Sequence, residues 1–300
     1  MGTAAAFDAV KPRLFGLAYR MLGSRAEAED VVQEAYIRWH QADEATVRNA
    51  EAWLVTTATR LAIDRLRALK VEREAYVGPW LPEPLIGSAP APPDRNLELA
   101  SDLSIAFLVL LERLSPVERA VLVLRDAFDL PFADIAAIVE RSEDNCRQIL
   151  SRARRRIEDD RPRFDADPAQ RDRLAARFLA AAREGDLAGL VAVLAADAVL
   201  IGDGGGRARS IPRPMHGAPA IARALVVFYA QVEDWGLTLE PAHVNGQPGF
   251  RSLDSDGRVV NVVGLDIERG RVATIYSMLN PDKLGHLGPV SDVALRPSAR

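Results

Sequence analysis

Five arginines lie in the last eleven residues of the segment SEDNCRQILSRARRRI (142–157), although the net charge of the whole chain is −4. At 3.6 residues per turn, the apolar residues of this segment fall on one stripe, a spacing typical of a helix packed on a core. The stripe consists of Cys146, Ile149, Leu150, Ala153 and Ile157. The opposite face carries Gln148, Ser151, Arg152 and Arg155, and Ser142 is a suitable N-cap. Arginine and glutamine can bond base edges, and further arginines can hold phosphates. The segment therefore favours DNA recognition, and the alternative is a solvated charged face.

The residues before the arginine-rich segment predict two further helices. LSPVERAVLVLRDAF (114–128) begins with a complete helix start, in which Ser115 caps, Pro116 takes the first position and Glu118 can close a capping box. PFADIAAIVE (131–140) is a short amphipathic helix, and a tight break at 141–142 follows it. Its inward residues are Ile135, Ile138 and Val139. A short helix, a turn and a second helix with an exposed polar face form the helix-turn-helix pattern. An ordinary helical hairpin is the alternative, and position 141, where glycine is common, is Arg.

An acidic helix near the start of the chain carries one apolar residue on its polar face. EAEDVVQEAYIRWH (27–40) places its apolar stripe on one side, and this stripe consists of Ala28, Val31, Val32, Ala35 and Trp39. The opposite face shows Asp30, Gln33, Glu34 and Ile37. A single exposed apolar residue is unremarkable by itself. Ringed by acids beside two DNA-binding-like elements, Ile37 is better interpreted as the centre of a protein–protein patch.

A basic helix follows at AWLVTTATRLAIDRLRALKVERE (52–74). One set of its side chains mixes aromatic, hydroxyl and charged groups, namely Trp53, Thr56, Thr57, Arg60, Asp64 and Arg67. Such a mixture suits stacking on unpaired bases and binding of a single-stranded backbone. The alternative is a core tryptophan with a solvated basic face, because large aromatic side chains are mostly buried.

Composition limits the class of protein. Residues 1–170 hold 23 basic and 28 acidic side chains, yet 53–73 and 142–157 each carry five basic residues against two acidic ones. Local basic patches on an acidic body indicate focused attraction to a polyanion. No apolar run approaches the roughly 18 residues of a membrane span, and the first residues do not resemble an export signal. One cysteine and four scattered histidines argue against a disulfide framework or a structural zinc site. We therefore expect a cytoplasmic protein without membrane contact or cofactor.

Two proline-punctuated stretches divide the chain. VGPWLPEPLIGSAPAPPDR (77–95) contains six prolines and cannot sustain a helix, and EDDRPRFDADP (158–168) is a second, shorter linker. The following segment predicts two helices in 171–198 with a break at 185–186, a short strand at 199–202 and a helix at 218–231. A hairpin turning at ERGR (268–271) completes a compact α+β domain, and the last residues, GPVSDVALRPSAR, are expected to form a loose tail.

The quoted helices resemble a known family. AEDVVQEAYIRW, AWLVTTATRLAIDRLR and LSPVERAVLVLRDAFDLPFADIAAIVERSEDNCRQILSRARRRI, in this order, resemble the conserved regions of bacterial extracytoplasmic-function (ECF) RNA polymerase sigma factors. The resemblance implies that Asp30, Gln33, Glu34 and Ile37 bind the clamp helices of core RNA polymerase. It implies that the −10 promoter element is melted and read by Asn49, Trp53, Thr56, Thr57, Arg60, Asp64 and Arg67. It implies that the −35 element is read by Ser142, Arg147, Gln148, Ser151, Arg152 and Arg155.

The third segment resembles a SnoaL-like (NTF2-like) domain, a cone-shaped α+β fold that a subgroup of these sigma factors carries at the C-terminus. Three motifs mark the resemblance: WLPEP (80–84), DGGGR (203–207) and NPDKL (280–284). The resemblance implies that this domain modulates sigma activity in cis. The regulatory residues would be Trp80, Leu81, Pro82, Asp203, Gly204, Gly205, Gly206, Arg207, Asn280, Pro281, Asp282, Lys283 and Leu284.

The expected architecture is therefore two all-α sigma domains, the second with a helix-turn-helix, followed by an α+β cone domain. The expected boundaries are 1–76 for the region 2 domain, 77–95 for the linker, 96–158 for the region 4 domain, 159–168 for the second linker, 169–285 for the SnoaL-like domain and 286–300 for the tail. We expect a transcription initiation factor with core RNA polymerase and promoter DNA as partners, and not an enzyme.

Alternatives remain at the level of sequence. SnoaL-like folds include enzymes, and Asp203, His216, Asn261 and Asp266 could line a cavity that binds an unknown small ligand, although their spacing fixes no acid–base pair. Gly204 to Gly206 could cradle an anion, but a turn is favoured. A helix-turn-helix repressor would give the Ile37 and Trp53 helices no role. Cys146, on the buried stripe, is expected to fill the core and not to act as a redox switch.

Overall fold

The computed structural model describes residues 3–42, 47, 49–87, 103–158 and 167–295. Two compact units emerge from the contacts between residues. The first unit comprises Met1–Ala75 and Leu108–Arg161, and the second comprises Tyr76–Phe107 and Pro162–Arg300. The described part of the proline-rich stretch, up to residue 87, therefore groups with the C-terminal unit. It contains no helix, as its proline content predicts.

The first unit is helical. Its helices are α1 (Thr3–Leu22), α2 (Arg25–Gln41), α3 (Ala50–Glu74), α4 (Ile105–Leu111), α5 (Pro116–Leu122), α6 (Phe132–Val139) and α7 (Glu143–Glu158). A π-helical turn, Val123–Ala127, follows α5. Helix α4 is shared between the units, because residues 105–107 group with the second one. None of the described helices is long and apolar enough to cross a bilayer.

The predicted apolar stripes of α2 and α7 are confirmed. All five stripe residues of each helix are buried, and Trp39 is 6% exposed at the end of the α2 stripe. Cys146 is fully buried within the α7 stripe, and burial raises the pKa of its thiol. A buried, protonated thiol is a poor nucleophile, so core packing accounts for this cysteine.

The helix-turn-helix forms with the predicted start and a different turn. Ser115 and Glu118 make the complete capping box at the start of α5. At the end of α6, the residue in the left-handed conformation is Glu140, with φ 56°. The left-handed position of this turn is therefore 140, and Arg141, where glycine is common, does not have a positive φ. The backbone N–H of Arg141 reaches back to Ala136 O at 3.1 Å, which closes the helix end as in a Schellman motif.

A buried arginine ties the N-terminal helices to α4 and α5. Arg119 is 1% exposed, and its guanidinium donates to Met21 O at 2.7 Å and to Leu111 O at 2.9 Å. It also pairs with Glu112 at 2.7 Å, which in turn pairs with Arg73. Burial alone would raise the pKa of Glu112, but the charges of Arg119 and Arg73 outweigh burial and hold it below its ordinary value. The carboxylate of Glu112 therefore balances the charge of Arg119, and oxygens of the protein accept the hydrogen bonds of its guanidinium.

The second unit is an α+β domain, as predicted. Three helices, α8 (Pro168–Glu184), α9 (Leu187–Val193) and α10 (Ala218–Asp234), pack on a six-stranded sheet. The strands are β1 (Leu194–Asp203), β2 (Met215–His216), β3 (Thr238–Val244), β4 (Gln247–Leu253), β5 (Val259–Glu268) and β6 (Arg271–Met278). Their order is β2-β1-β6-β5-β4-β3, with β1 and β6 parallel and all other pairs antiparallel. The core lies between helices and sheet, where Phe178 stacks on Phe250 with ring centroids 6.5 Å apart.

Most of the helix ends and turns predicted for this unit are confirmed. Gly185 adopts φ 68° and ends α8, Asp186 caps α9, and the β5–β6 hairpin turns at Arg269-Gly270. The second of the two helices predicted within 171–198 is too long, because residues 194–198 belong to β1. Pairing of Leu194 with Val272 in the parallel neighbour decides their conformation, and a single sequence does not reveal such long-range pairing.

The predicted loose tail is wrong for residues 286–295. Val259 donates to Pro289 O and Ser291 donates to Val259 O, at 2.8 and 2.9 Å, so this segment pairs with the first residue of β5. Arg209 N donates to Ala294 O at 2.8 Å, and Ala294 packs in a small apolar cluster with Val260 and Leu279. The polar, proline-containing sequence hid this order because mainly backbone hydrogen bonds hold it in place. Residues 296–300 lie outside the described residues.

Candidate functional sites

The exposed face of α2 presents an acidic patch around one apolar residue. Asp30 and Gln33 are exposed, and Ile37 keeps 41% of its surface accessible in the middle of them. Glu34 is half-buried and pairs with Arg38 at 2.8 Å. The four residues predicted for polymerase binding therefore share one face, which we call the α2 patch.

A fifth residue enlarges the α2 patch. Tyr36 is 37% exposed, and its ring packs against Phe7 with centroids 4.7 Å apart and against His40 at 6.0 Å. Sequence reasoning missed Tyr36 because the helical wheel places it between the two faces. Two adjacent exposed apolar side chains with fixed positions are typical of the centre of a protein interface.

The predicted −10 residues surround a concave site on α3. Asn49 caps α3 by accepting from Ala52 N at 3.1 Å, and Thr56 Oγ1 donates to Ala52 O at 2.7 Å. A cavity of about 640 Å³ opens between these side chains. Its lining comprises Arg38, Val47, Asn49, Ala52, Trp53, Thr56, Thr57 and Arg60. The structure thus brings five of the seven predicted residues into one site, which we call the α3 cavity.

Trp53 lies partly in the core and partly in the α3 cavity, whereas two charged residues of the predicted set lie outside the cavity. The Trp53 ring is half-buried and tilts against Trp39 at 5.5 Å, so one part packs on the core and another lines the α3 cavity. Packing of this tryptophan on the core is therefore confirmed in part, and its stacking on bases stays a prediction. Asp64 and Arg67 form an exposed ion pair at 2.7 Å one turn further along, outside the cavity lining.

Arg60 is already engaged within the first unit. Its guanidinium donates to Ala137 O at 3.0 Å and to Ile138 O at 3.1 Å, and it lies 3.3 Å from a carboxylate oxygen of Glu140. These acceptors are at the carboxyl end of α6, where helix carbonyls lack intrahelical partners. A residue predicted to touch −10 DNA therefore caps the first helix of the helix-turn-helix in this structure.

The arginines of α7 divide into two groups. Arg154 pairs with Asp126 at 2.6 Å and Arg156 pairs with Glu118 at 2.9 Å, so these two anchor the helix to the fold. Among the described residues of α7, the side chains of Gln148, Ser151, Arg152 and Arg155 are exposed and form no hydrogen bond or ion pair. We call this set the α7 face. It coincides with the face that the helical wheel predicts to be exposed.

The other two predicted −35 residues have local contacts. Ser142 Oγ caps α7 by accepting from Asn145 N at 3.2 Å. Arg147 pairs with Glu143 and Asp144 at 2.8 and 2.9 Å and lies 5.0 Å from the centroid of the Phe132 ring. All these charges are exposed, so the pairs are weak and can exchange for phosphate.

The three regulatory motifs meet in one buried cluster of the second unit. Asp203 is fully buried and accepts from Lys283 Nζ at 2.7 Å, from Leu81 N at 2.8 Å and from the hydroxyl of Tyr76 at 2.5 Å. Lys283 also donates to Leu81 O and lies 4.3 Å from the centroid of the Trp80 ring. We call this cluster the linker clip. It fixes the linker by hydrogen bonds to a buried carboxylate and a buried ammonium group.

Glycines make room for the linker clip. Gly205 adopts φ 56°, and a Cβ there would lie 2.3 Å from Asn280 Nδ2. Gly206 adopts φ 74° and approaches Val77 of the linker. Arg207 N donates to Gly204 O at 2.9 Å, so the glycines form the turn that the sequence favoured. Of the other motif residues, Pro82 and Leu284 are buried, Pro281 starts a 3₁₀ turn, and Arg207 pairs with Asp282 on the surface.

Sequence reasoning missed three residues of this region. Tyr76 joins Asp203 to Asn280, and burial together with the Asp203 carboxylate raises the pKa of its hydroxyl, which therefore stays protonated and donates. Asn245 accepts from Leu85 N at 3.0 Å and donates to Leu103 O at 2.9 Å. His286 Nε2 lies 2.8 Å from Pro84 O. The Asn245-Gly246 pair was a readable hairpin signal, but its contact with the linker was not.

The residues proposed for an enzyme site do not converge. Asp203 belongs to the linker clip, and His216 is exposed on the short strand β2. Of the four candidates, Asp266 alone lines a small internal cavity of about 10 Å³, beside Gln247 and Tyr276. Burial and the nearby Glu268 raise the pKa of Asp266 to about 7. Asn261 is buried elsewhere on β5, and its Oδ1 has no hydrogen-bond partner within the described chain.

Comparison with known proteins supports the family interpretation. Residues 6–71 match Sigma-70 region 2, and residues 104–157 match Sigma-70, region 4. The chain is 33% identical over 307 residues to the ECF RNA polymerase sigma factor SigJ of Mycobacterium tuberculosis, covering 98% of this chain and 96% of SigJ. It is 30% identical over 285 residues to the probable ECF RNA polymerase sigma factor SigI of the same species, covering 94% and 95%. The crystal structure of SigJ superposes with a TM-score of 0.72 at 31% identity, covering 94% of this chain and 98% of SigJ.

Proposed function

Because the chain belongs to the ECF RNA polymerase sigma factors, which direct promoter-specific transcription initiation, we propose that its surfaces divide the tasks of that activity. The α2 patch binds core polymerase, the α3 cavity takes the −10 element and the α7 face reads the −35 element. The linker clip holds the chain between regions 2 and 4 and lets the C-terminal domain modulate initiation.

The α2 patch suits the clamp helices of core polymerase. Ile37 and Tyr36 supply apolar area that is exposed in the free protein, and Asp30 and Glu34 surround it with negative charge. Apolar side chains at the centre of an interface provide affinity, whereas charges at its rim select the partner and speed association. A positively charged partner surface with an apolar centre would complement this patch.

The α3 cavity suits an unpaired base. Trp53 offers an aromatic ring for stacking, and Thr56 and Thr57 are hydroxyl groups beside it. Base–aromatic stacking contributes about 1–3 kcal/mol per base. A base that leaves the duplex can therefore be held at this site, and Arg38 and Arg60 can bind its phosphates.

Promoter binding requires the first unit to open. The −10 and −35 promoter elements are centred about 25 base pairs apart, which is ~85 Å of duplex at ~3.4 Å per base pair. In the structure Arg60 of α3 instead contacts Ala137 of the helix-turn-helix at 3.0 Å. Regions 2 and 4 cannot both read DNA while this contact persists. We infer that the structure is the closed form of the free factor.

The α7 face carries the proposal for DNA reading. Arg154 and Arg156 are committed to internal ion pairs, whereas Gln148, Arg152 and Arg155 are exposed and without such a pair among the described residues. Arg and Gln are the residues that bond guanine and adenine bidentately in the major groove. This separation of arginines that are paired with acids from exposed arginines that are not is the observation that supports the function best.

Run-off transcription with core polymerase tests the proposal. The template is a promoter library, and the double variant R152A/R155A is compared with R154A, which removes a positive charge of the same helix that is paired with Asp126. We expect the double variant to lose at least about tenfold in initiation, since each good base contact contributes about 1–3 kcal/mol. R154A should retain initiation where circular dichroism shows that it folds. Equal activity of R152A/R155A and the unmodified chain would refute the assignment of the α7 face.

The linker clip supports regulation in cis. Its hydrogen bonds join residues 76–81 to two loops of the C-terminal domain, so the linker cannot extend freely while the clip is formed. Releasing it would lengthen the connection between regions 2 and 4, which opening of the first unit needs. Comparing the full chain with D203N in the same transcription assay tests this step, and an unchanged initiation level would argue against it.

A further inference from the structure

A cleft on the second unit lies outside all of the surfaces assigned above. It has a volume of about 370 Å³ and runs between α8 and the β5–β6 turn. Its buried lining includes the apolar side chains of Leu174 and Ile267, and its other side carries three arginines of α8. These are Arg171, Arg173 and Arg177. None of the described residues that line the cleft is acidic, and the volume is within the range of roughly 300–1,000 Å³ typical of small-molecule sites.

The innermost arginine is held in a fixed orientation. Arg171 is 9% exposed, and its Nη1 donates to Gln247 Oε1 at 2.7 Å. This bond holds the guanidinium in a fixed orientation at the inner end of the cleft, and its charge partly offsets the rise in the pKa of the buried Asp266. A guanidinium is protonated at every physiological pH, and its planar fork matches the oxygens of a phosphate.

The positions of the two outer arginines destabilise the free protein through charge repulsion. Arg173 and Arg177 are both exposed and lie four residues apart on α8, where like charges repel. Neither forms a hydrogen bond or ion pair with another residue in the described ranges. The arginines of α7 behave differently, since Arg147, Arg154 and Arg156 are each paired with acids. A bound anion would relieve the repulsion in the cleft.

We propose that this cleft binds a small molecule that combines a phosphate group with an aromatic or apolar body. The exposed guanidinium groups of Arg173 and Arg177 take the phosphate, because charge-assisted bidentate bonds from arginine are the strong ones. Leu174 and Ile267 pack against the body of the ligand. Duplex DNA fits this site less well, because it needs an extended basic stripe along its backbone and offers no apolar group for a buried floor. Binding itself does not depend on the sigma activity, but a role as effector of the C-terminal domain rests on the proposed function.

Phenyl phosphate is a minimal probe of this chemistry. Its binding to the full-length chain can be followed by saturation-transfer NMR and calorimetry, with inorganic phosphate and phenol as partial probes. We expect the double variant R173A/R177A to bind phenyl phosphate at least about tenfold more weakly. R223A, which removes an exposed arginine from α10 of the same unit, should bind as the unmodified chain does. Inorganic phosphate should bind at least about tenfold more weakly than phenyl phosphate, because it lacks the ring.

Several outcomes would overturn the proposal. They are undiminished binding to R173A/R177A, equal affinity for phenyl phosphate and inorganic phosphate, and no binding of phenyl phosphate at all. Tighter binding of a short DNA duplex with the same dependence on Arg173 and Arg177 would assign the cleft to nucleic acid instead. The single variants R173A and R177A replace the double variant if circular dichroism shows that it is unfolded. Because the readout is direct binding, a failure of the sigma function in transcription assays leaves this test unaffected.

Discussion

The ammonium group of Lys283 lies 2.7 Å from a carboxylate oxygen of Asp203, and water reaches almost none of either side chain. Removing two charges from water costs several kcal/mol per ion unless each charge is paired and hydrogen-bonded. Here Leu81 satisfies both partners through its backbone, donating to Asp203 and accepting from Lys283. The linker backbone therefore takes the place of water around this ion pair. Displacing the linker would leave both charges with fewer hydrogen bonds.

Replacing Asp203 by Asn should destabilise the second unit strongly, because Lys283 would remain buried without its counter-charge. We expect a loss of about 3–5 kcal/mol in the free energy of unfolding, measured with urea, and faster proteolysis within 76–87. The matched change D282N removes a carboxylate from the exposed pair with Arg207, and it should cost less than about 1 kcal/mol. The double variant D203N/K283M should recover part of the loss. A D203N chain as stable as the D282N chain would contradict this account.

Introducing a charge at Ile37 should abolish binding to core polymerase while the chain still folds. Ile37→Glu places a carboxylate at the centre of the α2 patch, where the proposed interface excludes water. We expect at least a tenfold loss of affinity, which corresponds to about 1.4 kcal/mol, in a pull-down or fluorescence titration with core polymerase. Val71→Glu is the matched control, because Val71 is 70% exposed on α3 and outside the patch. A helix-turn-helix repressor that works without polymerase would tolerate both changes equally.

The closed first unit should open when core polymerase and promoter DNA bind. Spin labels at Lys70 on α3 and Asp134 on α6, both exposed and outside the proposed DNA contacts, report the distance between regions 2 and 4. In the free chain we expect one short distance, and in the promoter complex an increase of tens of ångströms, as the ~85 Å between the elements requires. An unchanged distance in an actively initiating complex would refute the closed-form interpretation.

Stability should depend on pH through Asp266. The pKa of this carboxyl is raised to about 7 by burial and by Glu268, from an ordinary value of 3.8. The folded chain therefore favours the protonated form. Its contribution to stability is fully present below about pH 4 and is lost as pH rises through about 7.

Asp266→Asn removes this dependence. The variant should be more stable than the unmodified chain by up to roughly 4 kcal/mol at about pH 8, and the difference should shrink towards about pH 4. Urea unfolding at several pH values measures it, with D197N at an exposed position as the control. A difference that does not change with pH would show that Asp266 does not titrate as described.

Helical periodicity made much of the first unit predictable. The buried stripes of α2 and α7 and the capping box at Ser115 follow from contacts within one or two turns, which a single sequence displays directly. The same spacing placed Gln148, Arg152 and Arg155 on the exposed face. Such local rules separate α7 residues that face water from those that face the core.

Contacts between distant segments could not be predicted from the sequence. Tyr76 meets Asn280 across 204 positions, and Arg60 meets Ala137 across 77, and no local pattern announces either hydrogen bond. Motif resemblance pointed to Asp203 and Lys283, but not to their mutual ion pair. Residues 194–198 were assigned to a helix because alanine and leucine favour helices, and pairing with β6 overrode that preference.

The ordered segment 286–295 has a consequence for protein turnover. Leu295 bridges to Ala208, and Ala294 accepts from Arg209, directly after the loop that carries Asp203. A protease that cuts within this segment would remove one support of that loop while every α-helix from α1 to α10 stays intact. The conformation of the loop that carries Asp203 would then depend on residues 286–295 staying uncut.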